Sequence, residues 1–325
     1  GNKPVIITTP GGQATVPGGY TYTTTNIYVT NFSSPGSVSV IDPGTNTLTA
    51  TVPVGSSPTG VAITPDLTRA YVTNFGAGSV SVINTANNAV ITTITGFSSP
   101  EGIAITPDGT KAYVTNASSA NVRVINIPAN TLGPTITIGG TPRFVAITPD
   151  GTRAYVTSQG TGTVSVINTT NDTVVTTINV SGSPFGIAIT PDGTKAYVTR
   201  DGASSVQVIN TAGNTLGPTI TVGSNPDGIA ITPDGTKAYV TNRSSNSVSV
   251  FNTATNAPIT TITGLGTAPR GIAITADGTR AYVANNVSNN VRVIDTATDT
   301  LIGPAITVGS GPFGVAATPL PYPAP

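Results

Sequence analysis

Short runs of valine and isoleucine alternate along the chain with threonine, serine and alanine, and clusters of Gly, Pro, Asn and Asp separate the runs. An alternation of period two with turn residues between predicts short β-strands, and no segment carries a helical period. The pattern is also copied. Tyr-Val-Thr-Asn or a close variant places tyrosine at 28, 71, 113, 155, 197, 239 and 282, at intervals of 42 or 43 residues. Each full copy reads Pro-x-Gly-(Ile/Val)-Ala-Ile-Thr-Pro-Asp-Gly-Thr-(Lys/Arg)-Ala-Tyr-Val-Thr-Asn, then a polar stretch, Ser-Val-Ser-Val-Ile-Asn-Thr and Thr-Ile-Thr-Val-Gly. In the second copy the predicted strands A to D are Val61 to Thr64, Ala70 to Asn74, Ser79 to Asn84 and Val90 to Thr95.

A unit of this size cannot bury both faces of its own small sheet, so the units must stack around an axis. The economical result is an all-β, seven-bladed β-propeller of four-stranded antiparallel blades. Solenoid repeats are usually much shorter and sandwich units need about 100 residues. The Pro-Asp-Gly-Thr-Lys-Ala-Tyr-Val-Thr-Asn segment, intact at Pro107 to Asn116 and Pro233 to Asn242, resembles the YVTN family of β-propeller repeats. That resemblance implies a propeller of the bacterial or archaeal surface-layer or secreted type, with the repeat motif itself serving as scaffold.

The phase of the repeat predicts how the ring closes. The first copy starts at strand B (Asn26 to Asn31), and the last segment, Pro312 to Thr318, is a strand A without followers. The two ends therefore share one composite blade, which removes the edges that an open ring would expose. Gly19-Tyr20-Thr21-Tyr22-Thr23 competes for the same slot, less well because it lacks the Pro-x-Gly-Val-Ala pattern. The chain divides into an extension at 1–25, the propeller at 26–318, and a proline-rich tail at 319–325. The β-prone Val5-Ile6-Ile7 run could cap the disc, fray, or lend a strand to a neighbouring molecule in self-assembly.

Composition narrows the chemistry. The chain has 325 residues with 13 basic and 13 acidic groups and no Cys, Met, Trp or His. Cys/His zinc sites, iron–sulfur clusters, disulfides, thiol nucleophiles and Ser-His-Asp triads are excluded. No cofactor or metal is expected. Zero net charge and 8% charged residues argue against a nucleic-acid partner. No apolar run reaches the roughly 18 residues of a membrane helix, so membrane insertion is not expected. The start, Gly1-Asn2-Lys3-Pro4, reads as processed or trimmed, and the composition suits an extracellular or cell-surface setting.

Six of the acids (Asp66, Asp108, Asp150, Asp192, Asp234, Asp277) and six of the bases belong to the repeated A-to-B turn and count as scaffold. The repeat tyrosines read as packing and hydrogen-bonding elements between blades. Arg123, Gln207 and Arg292 interrupt strand C, where a solvated outer rim accounts for them. The remaining charges break the symmetry at one place. The variable position of Pro-x-Gly runs Thr59, Glu101, Arg143, Phe185, Asp227, Arg270, Phe313 around the ring, near the channel mouth, and the B-to-C loops add Phe32, Phe75, Arg200, Asp201 and Arg243 on the same face. Such loops on a rigid scaffold are where function is usually grafted.

Three functions compete for this face. The favoured one is a non-catalytic extracellular structural or interaction protein with a protein partner or itself: surface layer, matrix, filament subunit or adhesin. A glycan or small-ligand binding module is the alternative, and needs Phe185 and Phe313 exposed. A lactonase- or lyase-like enzyme comes last, with acid–base work falling to Glu101, Asp227 or Asp201 and anion stabilisation to Arg143, Arg270 or Arg200.

Overall fold

The computed structural model describes residues 5–9, 12–16 and 26–318. Within 26–318 the strands fall into seven four-stranded sheets, each ordered A-B-C-D. Blade 2, for example, consists of Pro58–Ile63, Arg69–Asn74, Ser79–Asn84 and Val90–Thr95. Blade 1 is the composite: Pro312–Ala317 joins Ile27–Asn31, Gly36–Asp42 and Thr47–Val54, with Val315 opposite Val29. The C-terminal strand thus closes the ring, as the phase predicts, and the rival segment at 19–23 lies outside the described residues, as does the 319–325 tail. Val5–Thr9 pairs antiparallel with Gly12–Val16, Val5 facing Val16, in a two-stranded sheet of its own.

The core lies between blades. Each repeat tyrosine is fully buried and packs with the valines of its own strand C against the next blade's strand B: Tyr71 against Ala112 and Val114, Tyr113 against Ala154 and Val156. Its hydroxyl donates across the gap: Tyr71 to Asn130 at 2.5 Å and Tyr155 to Asn214 at 2.6 Å. At Tyr113 and Tyr239 the acceptors are Asp172 and Asp299, which also pair with Lys111 and Lys237 at 2.8 and 2.7 Å. Burial raises all seven phenols, and at Tyr197 it reaches about 12, so they stay protonated donors at neutral pH.

The A-to-B turn behaves as its sequence dictates. Asp150 Oδ1 accepts from Thr148 Oγ1 at 2.5 Å and from the Thr152 amide at 3.0 Å, which holds its carboxyl below the usual value. Gly151 takes the left-handed conformation there at φ +72°. In blade 2 this position is Leu67, at φ 62°, and its side chain is buried.

One expectation about strand C fails. Gln207 is not on a solvated rim: it is 4% exposed, because strand D covers strand C, and its amide donates to the Gly217 carbonyl at 2.8 Å. Arg123 and Arg292 at the same position are half-buried.

Candidate functional site at the channel mouth

In every blade the A–B pairing slips by one residue at Pro-x-Gly. In blade 3, Pro100 faces Asn116 and Ile103 faces Val114, so three steps on strand A match two on strand B. The same bulge recurs in the other six blades. A bulge adds one residue and re-aims its side chain. Here it turns residue x toward the channel.

The threonine of Tyr-Val-Thr-Asn pegs this bulge in place. In blade 2, Thr73 Oγ1 accepts from the Gly60 amide at 2.7 Å, which the bulge leaves unpaired, and donates to the Glu101 carbonyl of the next blade at 2.7 Å. Thr30, Thr115, Thr157, Thr199 and Thr241 donate likewise to the carbonyls of Thr59, Arg143, Phe185, Asp227 and Arg270. Blade 7 carries Ala284 instead, so Phe313 receives no such donor. The backbone of residue x is fixed while its side chain is free to differ.

All seven x residues line one depression of about 290 Å³, with Phe32, Phe75, Gln159, Asp201 and Arg243. Glu101 Oε2 accepts from Arg143 Nη1 at 2.7 Å, and Arg143 Nε donates to Gln159 at 2.8 Å. Asp227 Oδ2 lies 3.2 Å from Arg270 Nη1 and 4.0 Å from Arg243 Nε, and Arg243 reaches Asp201 at 3.4 Å. Burial raises the carboxyl of Asp227 to about 6 against the opposing pull of Arg270 and Arg243. Burial also pushes Glu101 upward, against Arg143, and the negative charge of Asp227 adds to that push.

Aromatic rings complete the mouth. Phe32 lies 5.9 Å from Phe313 and 6.4 Å from Phe75, and Phe144 lies 5.2 Å from Phe185. Phe185 and Phe313 are buried rather than exposed, because the guanidiniums of Arg143 and Arg270 cover them at 5.6 and 4.6 Å.

The ring of x residues is thus brought together as its repeat position predicts, as are Asp201 and Arg243. Arg200 is not at the mouth. It ends strand B in blade 5, where five other blades have asparagine and blade 4 has Ser158, and its Nε donates to Ser205 Oγ at 3.0 Å just as Asn74 donates to Ser79 at 3.1 Å. Two residues escaped the sequence reading. Gln159 orients Arg143, and Phe144 stands where six blades have the glycine of Pro-x-Gly; a departure from the repeat was the available signal for both.

The fold is shared with solved structures. A functionally unknown protein from Desulfotomaculum acetoxidans superposes with a TM-score of 0.80 at 21% identity, over 90% of this chain and 99% of that one. The periplasmic gluconolactonase PpgL of Pseudomonas aeruginosa superposes with a TM-score of 0.75 at 19% identity, over 90% and 98%. The curated protein PE_PGRS18 of Mycobacterium tuberculosis is 52% identical over 56 residues, 17% of this chain. The match spans only 11% of that relative's length.

The model of the family described as "Lactonase, 7-bladed beta-propeller" matches residues 20–301. This overturns the expectation of a non-catalytic surface-layer, filament or adhesin module and of a chain that is no enzyme. The absence of histidine weighed too heavily there, since buried carboxylates and guanidiniums supply acid–base and anion-stabilising groups without it. With a match of that length, the chain belongs to the lactonase family of seven-bladed β-propellers.

Proposed function

We propose that this chain hydrolyses a lactone at the channel mouth. Beyond family membership, one observation carries the reading: Asp227 is buried beside two guanidiniums, with a carboxyl raised to about 6. A general base works best when its pKa lies near the operating pH, and a group ionising near 6 is a stronger base than an ordinary carboxylate while still mostly ionised at pH 7.

Asp227 takes a proton from a water that attacks the lactone carbonyl carbon. The carbonyl oxygen becomes an oxyanion facing Arg270 and Arg143, whose charges offset it. Collapse breaks the ring C–O bond, and the proton held by Asp227 passes to the departing alkoxide. One water is consumed and one hydroxy acid forms. Gln159 and Glu101 hold the Arg143 guanidinium in place.

The test is proton release from δ-gluconolactone above the buffer rate, read by pH-stat. Wild-type kcat/KM should rise with pH through about 6. Asp227→Asn should lower kcat by about 10²- to 10⁴-fold, the usual worth of a general base. Full activity in Asp227→Asn would eliminate this assignment.

A further inference from the structure

Beneath the mouth the channel holds a second space of about 150 Å³, and Asp227 and Phe313 line both. Its character is opposite to that of the mouth. Among the described residues, Asp227 is its one ionisable lining group; four isoleucines, two valines, Phe144, Phe313 and five glycines make up the rest. The glycines make this wall rigid. A Cβ on Gly186 or Gly271 would stand 2.2 Å from the carbonyl oxygen of Asp227 or Phe313 in the next blade, so the backbones touch there and cannot draw closer. A space of about this volume between apolar walls is large enough for a group of benzene size.

Among the described residues, the mouth above has no spare positive charge. Each of its guanidiniums meets a carboxylate: Arg143 with Glu101 at 2.7 Å, Arg270 with Asp227 at 3.2 Å and Arg243 with Asp201 at 3.4 Å. A phosphate or a second carboxylate on the substrate would add full negative charge where the three guanidiniums are already balanced by Glu101, Asp227 and Asp201, and would draw an arginine away from its carboxylate. Glu101 and Asp227 are 3% and 5% exposed, and leaving either buried and uncompensated is costly.

We propose that the lactone taken by this site is uncharged and carries an apolar substituent of roughly benzene size, which descends past Asp227 into the channel. The inference rests on the lactonase reading and narrows its substrate class. The ring carbonyl stays at the mouth among Arg143, Arg270 and Asp227, and the substituent packs against the isoleucines. Phe144 limits the depth. It replaces a repeat glycine in one blade and packs against Phe185 at 5.2 Å with the rings tilted by 60°, filling a sector that would otherwise be open.

The experiment uses two matched series on the full chain. Hydrolysis is measured for γ-butyrolactones with linear substituents from methyl to decyl, beside δ-gluconolactone and its 6-phosphate. Binding of the corresponding unreactive γ-lactams is measured by calorimetry. Both kcat/KM and lactam affinity should climb about fourfold per methylene, which is about 0.8 kcal/mol of buried CH₂, and level off near six carbons. Phe144→Gly, which restores the residue of the other blades, should move that levelling point to longer chains. The 6-phosphate should be the poorest substrate.

Hydrolysis without length dependence, or a preference for the 6-phosphate, overturns the inference and leaves the lactonase reading standing. Length-dependent lactam binding with no lactone hydrolysed overturns the lactonase reading and leaves the apolar occupant of the channel standing. Lactams that bind equally at every length, or not at all, overturn the inference by themselves.

Discussion

Asp227 makes a stability prediction that runs against ordinary intuition about ion pairs. Unfolded, its carboxyl ionises near 3.8; folded, near 6. Between those pH values the unfolded chain has released a proton that the folded chain still holds, so folding loses ground as the pH rises. The difference, at about 1.4 kcal/mol per tenfold change in proton affinity, makes about 3 kcal/mol. That contribution is fully present below about pH 4 and gone above about pH 6. Asp227→Asn keeps the shape but cannot ionise. Urea unfolding of both proteins at pH 4, 5, 6 and 7 should therefore show the Asp227→Asn variant gaining on the wild type as the pH rises. By pH 7 the gain should reach about 3 kcal/mol relative to their difference at pH 4. Taking the difference between the two proteins cancels the turn aspartates, which act in the opposite sense: their lowered carboxyls stabilise above the unfolded value and lose that effect in acid. If the variant instead loses stability relative to wild type as the pH rises, the pairing with Arg270 and Arg243 outweighs burial, and the assignment of a raised carboxyl is wrong.

Two further predictions concern the scaffold. Ala284→Thr should supply the missing peg to the Phe313 carbonyl and raise stability by about 1 kcal/mol, the net worth of a typical hydrogen bond; an unchanged or lower urea midpoint would show that blade 7 has no room for it. Ending the chain at Gly311 removes Pro312–Ala317 and bares the edge of Ile27–Asn31. The product should unfold at far lower urea or aggregate through that edge, and a wild-type midpoint would count against ring closure as a source of stability.

Architecture was legible in the sequence because one unit recurs and each copy must repeat the same packing solution. A tyrosine between alanine and valine has only the neighbouring blade in which to bury its ring. Closure was legible because the two ends are out of phase by one strand. The mouth was legible for the same reason in reverse: only position x departs systematically from the repeat. The failures also have physical causes. Arg200 looks like a loop charge, but a long side chain can bend back and do an asparagine's work at a strand end. Phe185 and Phe313 look exposed until the arginines that cover them are placed. Gln207 looks like a rim residue until strand D is laid over it. The acidity of Asp227 and Glu101 is set by burial across blades, which no single segment reveals, and so the chemistry was undervalued.

The threonine pegs have a consequence for how such a protein can change. In six of the seven blades they grip the main chain of residue x from the blade before, and the bulge delivers the side chain to the mouth of the channel. Changes at those positions therefore leave the backbone frame in place, and their effect on stability comes through the side chains packed at the mouth. A lineage carrying this ring can sample new pockets without reshaping its backbone, and a laboratory library randomised at the same positions would inherit that freedom wherever buried charges stay paired.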